Sequence, residues 1–367
     1  MTYSILFRYI LKQFAIVFLA TLFVLTAVIM LFDVIELLRN ASKHEGVSFV
    51  DISILALLKS PQMIHIILPF ITLIAGLIFL FRFDKTSELI VMRAVGLSAW
   101  DFMLPLVVFI VGIGIFDMMI FNPISAMTAR RYERMEERLN MTHSTPFVWS
   151  SQGFWLRDVR ADKILVIRAS RVRQEERQVL LDNVSVLEMD ENNHFQRQNE
   201  AVVGVLQDGI LTLKNAFVID PNAETGREVP QALFDTDLSL DRILEKFDDP
   251  QTMSFWRFPR FIRFLKEAGF SSVMHEMYWH ELIAYPAILV AMLLISAVFA
   301  LPPSNRQGKA LIRVLLAILG GFMLYFLTRI TNVLGQSQSM PLILAAWGPA
   351  LVVIPLCLSA LLHLEDG

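Results

Sequence analysis

The sequence predicts a membrane protein of six transmembrane helices, with an all-β, jelly-roll-like extracytoplasmic domain inserted between the third and the fourth. Three observations carry that class. Apolar residues make up 55% of the 367-residue chain and charged residues 18%, against about 45–50% and about 25% in an ordinary soluble domain. Of the 67 charged residues, 45 fall within residues 129–281, leaving 22 for the other 214. Six runs of about 20 mostly apolar residues, the length that crosses a bilayer, lie outside that block.

The domains follow directly: residues 1–128 hold spans one to three, 129–281 the polar insert, and 282–367 spans four to six. Gln13–Phe32 contains no charge and is the first span. Arg8 and Lys12 precede it as in a signal peptide, but the run is too long for one and has no clear small-x-small cleavage site, so it reads as a retained anchor. Ser60–Phe81, which tolerates His65 and Pro69, is the second. Phe102–Phe121, interrupted by Asp117, is the third. Leu282–Leu301, Leu311–Ile330 and Leu342–Leu362 complete the set, with Arg313 and Arg329 placed to snorkel from span five.

Basic residues set the expected orientation. Arg82, Lys85 and Arg93 lie between spans two and three, and Arg306 and Lys309 between spans four and five, whereas 331–341 has neither Lys nor Arg. The positive-inside rule puts these basic loops and both termini in the cytoplasm. Arg39, Lys43 and Lys59 in a 38–59 loop on the other side dilute the contrast. The polar insert then lies outside the cytoplasm.

Within the insert, residues 128–141 (TARRYERMEERLNM) continue span three as a charged helix. From Pro146 to about Leu240 the period changes to two, as in Ile164–Ala169, Val184–Glu188, Ala201–Leu206 and Ile210–Leu213. Asn192-Asn193, Asp208-Gly209 and Pro221-Asn222 with Gly226 separate these runs as turns. Short strands punctuated this way predict an all-β sandwich or roll, which either binds an amphiphile between its layers or docks partners. Residues 258–268 form an amphipathic helix, with Phe258, Ile262, Phe264, Leu265 and Ala268 on one side and Arg260, Arg263, Lys266 and Glu267 on the other. It either lies in a headgroup layer or packs on the β domain, and the second reading is preferred.

Several chemistries find no support. The net charge of −3 offers no basic surface to a nucleic acid. The single cysteine, Cys357, makes no internal disulfide. Gly308-Lys309 lacks the rest of a phosphate-binding loop. His275-Glu276 and His280-Glu281 resemble a zinc-protease helix, but a spacing of five turns the two imidazoles about 140° apart. No catalytic residue, metal or cofactor is assigned, and a membrane enzyme around His275, His280 and Glu281 stands only as a rival.

Ionisable residues in spans carry a functional default. Asp33, Glu36 and Arg39 sit at i, i+3 and i+6 at the outer end of span one, where they either line a portal or mark the helix leaving the membrane, with Glu36 and Arg39 paired. Asp117 and Arg329 lie near outer ends, where exposure is cheap. The pattern offers no paired charges at mid-membrane, which argues against an ion-driven carrier. In the cytoplasmic stretch 81–102 (FRFDKTSELIVMRAVGLSAWDF), Thr86 or Ser87 can cap a short helix that Gly96 ends. Leu89, Met92 and Val95 form its apolar strip, beside Glu88 and Arg93.

At this helix the chain resembles the YjgP/YjgQ-type lipopolysaccharide export permeases, the LptF/LptG family. The matching stretches are SELIVMRAVG (87–96), RYILKQ (8–13), LPF (68–70), GFWLRD (153–158), HELIAYPAILVAML (280–293), NRQGK (305–309) and GFMLYFL (321–327). Their order covers essentially the whole chain, and GFWLRD and the first span look more like the LptG branch. The resemblance implies a transport subunit rather than an enzyme, with a permease of another ABC-type system, acting on lipoproteins or mechanically on a periplasmic enzyme, as the rival transport reading. It implies an LptF-like second permease, an LptB-like ATPase dimer, an LptC-like periplasmic protein and lipopolysaccharide as substrate, in the inner membrane of a Gram-negative cell. It makes 82–101 the coupling helix and gives that role to Glu88, Met92, Arg93 and Gly96. It makes spans one (13–37) and five (311–330) lateral gates, with Asp33, Glu36, Arg39, Phe322, Tyr325, Phe326 and Arg329 at the gate or cavity. Family members of the LptG type often carry basic residues at the outer end of span one. Here Asp33 and Glu36 stand there, leaving Arg39 as the main cation.

Overall fold

The computed structural model describes residues 2–41, 47–86, 99–139, 147–150, 153–159, 164–175, 178–189, 195–207, 209–220, 226–236, 249–267, 271–301 and 310–366. They form two compact units. The first is Met1–Met141, Pro250–Phe258 and Val273–Gly367; the second is Thr142–Asp249 and Pro259–Ser272.

Among the described residues, the first unit contains six helices long and apolar enough to cross a membrane. Helix α1 (Thr2–Ala41) has neither glycine nor proline, so nothing interrupts its hydrogen-bond ladder for 40 residues. At 1.5 Å per residue it is about 60 Å long, roughly twice the hydrocarbon thickness. Helix α2 (Phe49–Lys85) starts at a reciprocal cap: the Val50 amide donates to Ser48 Oγ (3.3 Å) and the Ser48 amide donates to Asp51 Oδ2 (3.1 Å). The stretch expected as a loop over 38–59 is therefore helical over 38–41 and 49–59. Apolar-run counting stops at the first charged residues, whereas the helix continues until its backbone is capped or broken.

Two prolines inside α2 remove amides that would bond the carbonyls four residues earlier. In a membrane each orphaned carbonyl must find another donor. The Ser60 hydroxyl donates to Leu57 O (2.9 Å), replacing the amide missing at Pro61. The Tyr285 hydroxyl, from another span, donates to His65 O (2.5 Å), replacing the one missing at Pro69. Helix α3 (Ala99–Phe116) runs through a π-helical turn, Asp117–Phe121, into the charged α4 (Asn122–Arg138). Spans four to six are α6 (Val273–Ala300), α7 (Ala310–Gln336) and α8 (Leu342–Asp366).

Helices α2 and α6 supply most of the core, through Ile71, Leu73, Leu80, Leu289, Met292 and Leu293, joined by Phe14 and Phe18 of α1 and Leu106 of α3. Close approach is set by small residues, as membrane helix packing demands. A Cβ on Gly76 would meet Ser296, one on Gly321 would meet Leu73, and one on Gly114 would meet the backbone of Pro286. Helices α1, α7 and α8 lie at the periphery and turn large apolar side chains outward, among them Phe23, Phe32, Phe322, Met323, Phe326 and Leu356.

In the second unit the described strands make one antiparallel sheet: β1 (Phe147–Ser150), β2 (Gly153–Val159), β3 (Ile164–Ala169), β4 (Arg171–Glu175), β5 (Gln178–Met189), β6 (Phe195–Gln207), β7 (Ile210–Ile219) and β8 (Arg227–Asp235). The order is β1-β2-β3-β5-β6-β7-β8, with β4 also on β5. The all-β roll that the alternation predicts is present, but its strands are longer than the runs that announced them. The cause is a break that crosses the sheet in one row. The registers align Ser170 with Asn183, Val202, Asn215 and Pro230. Asn183 and Asn215 adopt φ of 50° and 51°, a left-handed conformation that asparagine tolerates better than most residues. At that row the inward side chains change phase: Leu181 gives way to Val184, Ala201 to Leu206, and Leu213 to Ala216. One strand thus reads as two short ones with a turn between them. The Ser170 amide and hydroxyl both donate to Asp182 O (2.9 Å each), bracing the break between β3 and β4.

Helix α5 (Phe258–Glu267) closes this core with Phe261, Phe264 and Leu265. The amphipathic helix therefore packs on the β domain, as preferred, and its charged residues take the other side.

Candidate functional site

Polar side chains separated widely in sequence meet inside the first unit. Asp117, only 2% exposed, opens the π turn. Its Oδ2 lies 2.7 Å from Nδ1 of His65 on α2. The imidazole stacks on the Tyr285 ring with centroids 4.4 Å apart, while the Tyr285 hydroxyl holds the His65 carbonyl. A burial this complete is tolerated only when the group is paired. The sequence places Asp117 near an outer end, where exposure is cheap. The structure buries it instead, and its partner, 52 residues away, is brought to it only by helix packing.

The π turn has a second consequence. One extra residue in the helix breaks the regular ladder, and the Met119 carbonyl accepts from Trp256 Nε1 (3.1 Å). One turn on, Asn122 Oδ1 accepts the Phe255 amide (2.8 Å). The Gln62 and Gln251 side chains also bond. Residues 250–258 are thereby fastened to α2, the π turn and the start of α4.

A second pair joins spans one and two: Lys59 Nζ lies 2.5 Å from Asp33 Oδ1, with the aspartate side chain only 9% exposed. Asp33 is thus occupied by a cation of its own chain, while Glu36 and Arg39 are exposed. Lys59, assigned to a loop from the sequence, is helical. From 58 to 67 every residue of α2 is half-buried, so over these turns no face of the helix is either core or fully exposed.

Span five brings the third group. Tyr325 and Arg329 are one turn apart on α7; Arg329 Nε donates to the Tyr325 hydroxyl (3.2 Å) and the guanidinium lies 5.2 Å over its ring. Arg329 also approaches Glu281 of α6, at 4.0 Å, while staying half exposed. Tyr325 and Phe322 pack on Phe70 of α2 with centroids 5.3 and 5.1 Å away, and Phe326 points outward.

The structure therefore gathers Phe322, Tyr325 and Arg329 against α2 and α6. Asp33 is drawn into an ion pair, and Glu36, Arg39 and Phe326 remain on the surface. Glu88, Met92, Arg93 and Gly96 lie outside the described residues. Sequence reasoning missed Lys59, His65 and Tyr285 as partners. A signal existed for one of them, since a histidine in an apolar span four residues before a proline marks an orphaned carbonyl. Of the rival enzyme residues, His275 is buried beside Phe258 (ring centroids 6.4 Å), the His280 ring lies against Trp279 (5.2 Å), and Glu281 turns to Arg329. Among the described residues no group of three potential ligands is arranged to hold a metal.

The long helices and the inserted sheet agree with what comparison with known proteins returns. The family model for lipopolysaccharide export system permease LptF/LptG matches residues 8–363. The chain is 23% identical over 360 residues, 95% of each chain, to the lipopolysaccharide export system permease protein LptG of Escherichia coli strain K12. The same figures hold for LptG of Escherichia coli O6:H1. Six membrane-length helices interrupted by an antiparallel sheet, matched from end to end, place this chain in the LptF/LptG family of lipopolysaccharide export permeases.

Proposed function

We propose that the chain is the LptG-type permease subunit of an ABC exporter that takes lipopolysaccharide from the inner membrane. It pairs with an LptF-like permease, rests on an LptB-like ATPase dimer, and passes substrate through its β insert to an LptC-like protein and the bridge beyond. Both termini and the 82–101 helix face the cytoplasm, and the insert faces the periplasm. The observation that carries this reading is the arrangement of α1 and α7. Both pack on α2, and both present outward apolar faces, Phe23 and Phe32 on one and Phe322 and Phe326 on the other. Such faces suit acyl chains and a second permease alike.

In this reading ATP binding closes the ATPase dimer, and Glu88, Met92, Arg93 and Gly96 transmit the closure. The cavity between the permeases then narrows, and the acyl chains leave for the apolar interior of the insert. Arg329, half exposed on α7, is the cation we assign to lipid phosphates, whereas Lys59 is held by Asp33. The switch requires only that the two states differ in affinity for the lipid. Purification in mild detergent tests the assembly: a second permease, a soluble ATPase and bound lipopolysaccharide should elute with this chain. Elution alone and lipid-free under conditions that preserve the fold would overturn the proposal.

A further inference from the structure

On the β insert, two rows of side chains that face away from its apolar core line a depression of about 480 Å³. The strand registers define the rows. Arg168 pairs with Ser185, Ser185 with Glu200, and Glu200 with Phe217, so β3, β5, β6 and β7 each place one residue in line. Two positions away on each strand lies the break row of Ser170, Asn183, Val202 and Asn215. Residues two apart share a face of a sheet. Between the rows, Ala169, Val184, Ala201 and Ala216 point the other way, into the core. At the break the register of β6 on β7 passes directly from Glu200–Phe217 to Val203–Lys214. An interrupted ladder of this kind bends the strands, and the depression sits at that bend.

The lining is held in place from within the sheet. Gln198 Nε2 donates to Glu200 Oε1 (2.7 Å) and to Ser185 Oγ (3.3 Å), and Asn183 Nδ2 donates to Ser170 Oγ (3.2 Å). A Cβ on Gly226 would collide with the Phe217 ring, so glycine at that position leaves the ring its place. Phe217 is nevertheless 41% exposed, and Val202 beside it in the lining is 73% exposed.

This combination selects a ligand class by elimination. A lone carboxylate is a poor site for a divalent cation, and Glu200 repels an anion. The depression lies on strands paired on both sides, so a peptide cannot add there as a further strand. An acyl chain would bury amides, hydroxyls and charges without partners. A saccharide satisfies each group. Its hydroxyls donate to the carboxylate and the amide oxygens, and accept from amide nitrogens and the guanidinium. Its C–H face, polarised positive, suits the negative face of an aromatic ring.

We propose that this depression binds a saccharide, with Glu200, Asn183 and Asn215 taking hydroxyls and Phe217 taking the C–H face of a sugar ring. The sugar is the oligosaccharide of the transported lipopolysaccharide, and that identification rests on the reading of the chain as its permease. The insert then handles the two halves of one amphiphile on opposite faces of a single sheet, acyl chains inside and sugars outside.

The test uses the full-length protein in detergent, with the subunits that co-purify. It is titrated with lipid-free oligosaccharide released from lipopolysaccharide by mild acid, and separately with a maltooligosaccharide, and binding is read by saturation-transfer NMR. Wild type is compared with Glu200→Gln and with Phe217→Leu, which still covers Gly226 but has no π face, and each variant is also melted. The lipopolysaccharide oligosaccharide should bind wild type saturably, and each variant about tenfold more weakly, the equivalent of one contact, with melting unchanged. No saccharide binding by wild type, or equal binding by wild type and both variants, would overturn the proposal. So would a loss confined to a variant that melts lower, which assigns that side chain to packing. Binding of the maltooligosaccharide alone, weakened in both variants, would support the saccharide site and overturn its link to lipopolysaccharide.

Discussion

Gly112 and Gly114 lie two residues apart on α3, and alanine at the two positions should change stability in opposite directions. A Cβ built on Gly114 falls 2.7 Å from Cα and 2.8 Å from Cβ of Pro286 on α6. Ordinary carbon contacts begin near 3.5 Å, so α3 and α6 must separate by roughly 0.7 Å, and neither backbone can yield alone. A gap of that size forfeits a quarter to a half of each dispersion contact along the seam, and forced overpacking costs about 1–3 kcal/mol. Alanine returns about 1 kcal/mol of helix propensity, leaving Gly114→Ala less stable by up to about 2 kcal/mol. A Cβ on Gly112 meets nothing within 4 Å, so Gly112→Ala keeps the propensity gain and loses no packing. Both variants, purified in the same detergent, are unfolded in mixed micelles of increasing SDS fraction and followed by far-ultraviolet circular dichroism. The midpoint should fall for Gly114→Ala and stay or rise for Gly112→Ala. A Gly114→Ala midpoint at or above that of Gly112→Ala would refute the claim that this seam is packed to contact through Gly114.

Other positions give further tests. His65→Leu strands the buried Asp117 carboxyl and should lose about 3–5 kcal/mol, whereas His65→Leu with Asp117→Leu should recover most of it; the double-mutant cycle by SDS unfolding checks the coupling. Trp256→Phe keeps the ring but removes the donor to Met119 O, and should cost about 1 kcal/mol, seen as earlier proteolysis around residues 250–258 with unchanged helical content. Glu88→Lys should insert and fold normally while failing to retain the ATPase subunit on a column, and ordinary lipopolysaccharide release by that variant would withdraw the coupling assignment.

Legibility in this chain followed the range of the signal. Span one was readable because twenty apolar residues in a row are a local fact, and so was the change of period that marks the insert. Its full length was not, since α1 continues through Asp33, Glu36 and Arg39, residues that end an apolar count without ending a helix. The β strands were half legible. Alternation announced Val184–Glu188 and Ala201–Leu206, but left-handed Asn183 and Asn215 shift its phase, so continuous strands looked like short ones. Of the residues proposed for the gate, Phe322, Tyr325 and Arg329 were named through resemblance. That Tyr325 holds Arg329 and that Glu281 faces it depended on how α6 and α7 pack.

By itself the sequence determined six apolar helices, an inserted β domain and the family to which the chain belongs, because composition, periodicity and ordered motifs are properties of neighbouring residues. Only the tertiary structure decided that Asp33 is spent on Lys59, that Asp117 is paired with His65, and that Tyr285 replaces the amide Pro69 lacks. Each joins groups on different helices. In a medium that offers polar groups no water, the identity of the partner settles whether such a residue is structural or free to meet a ligand.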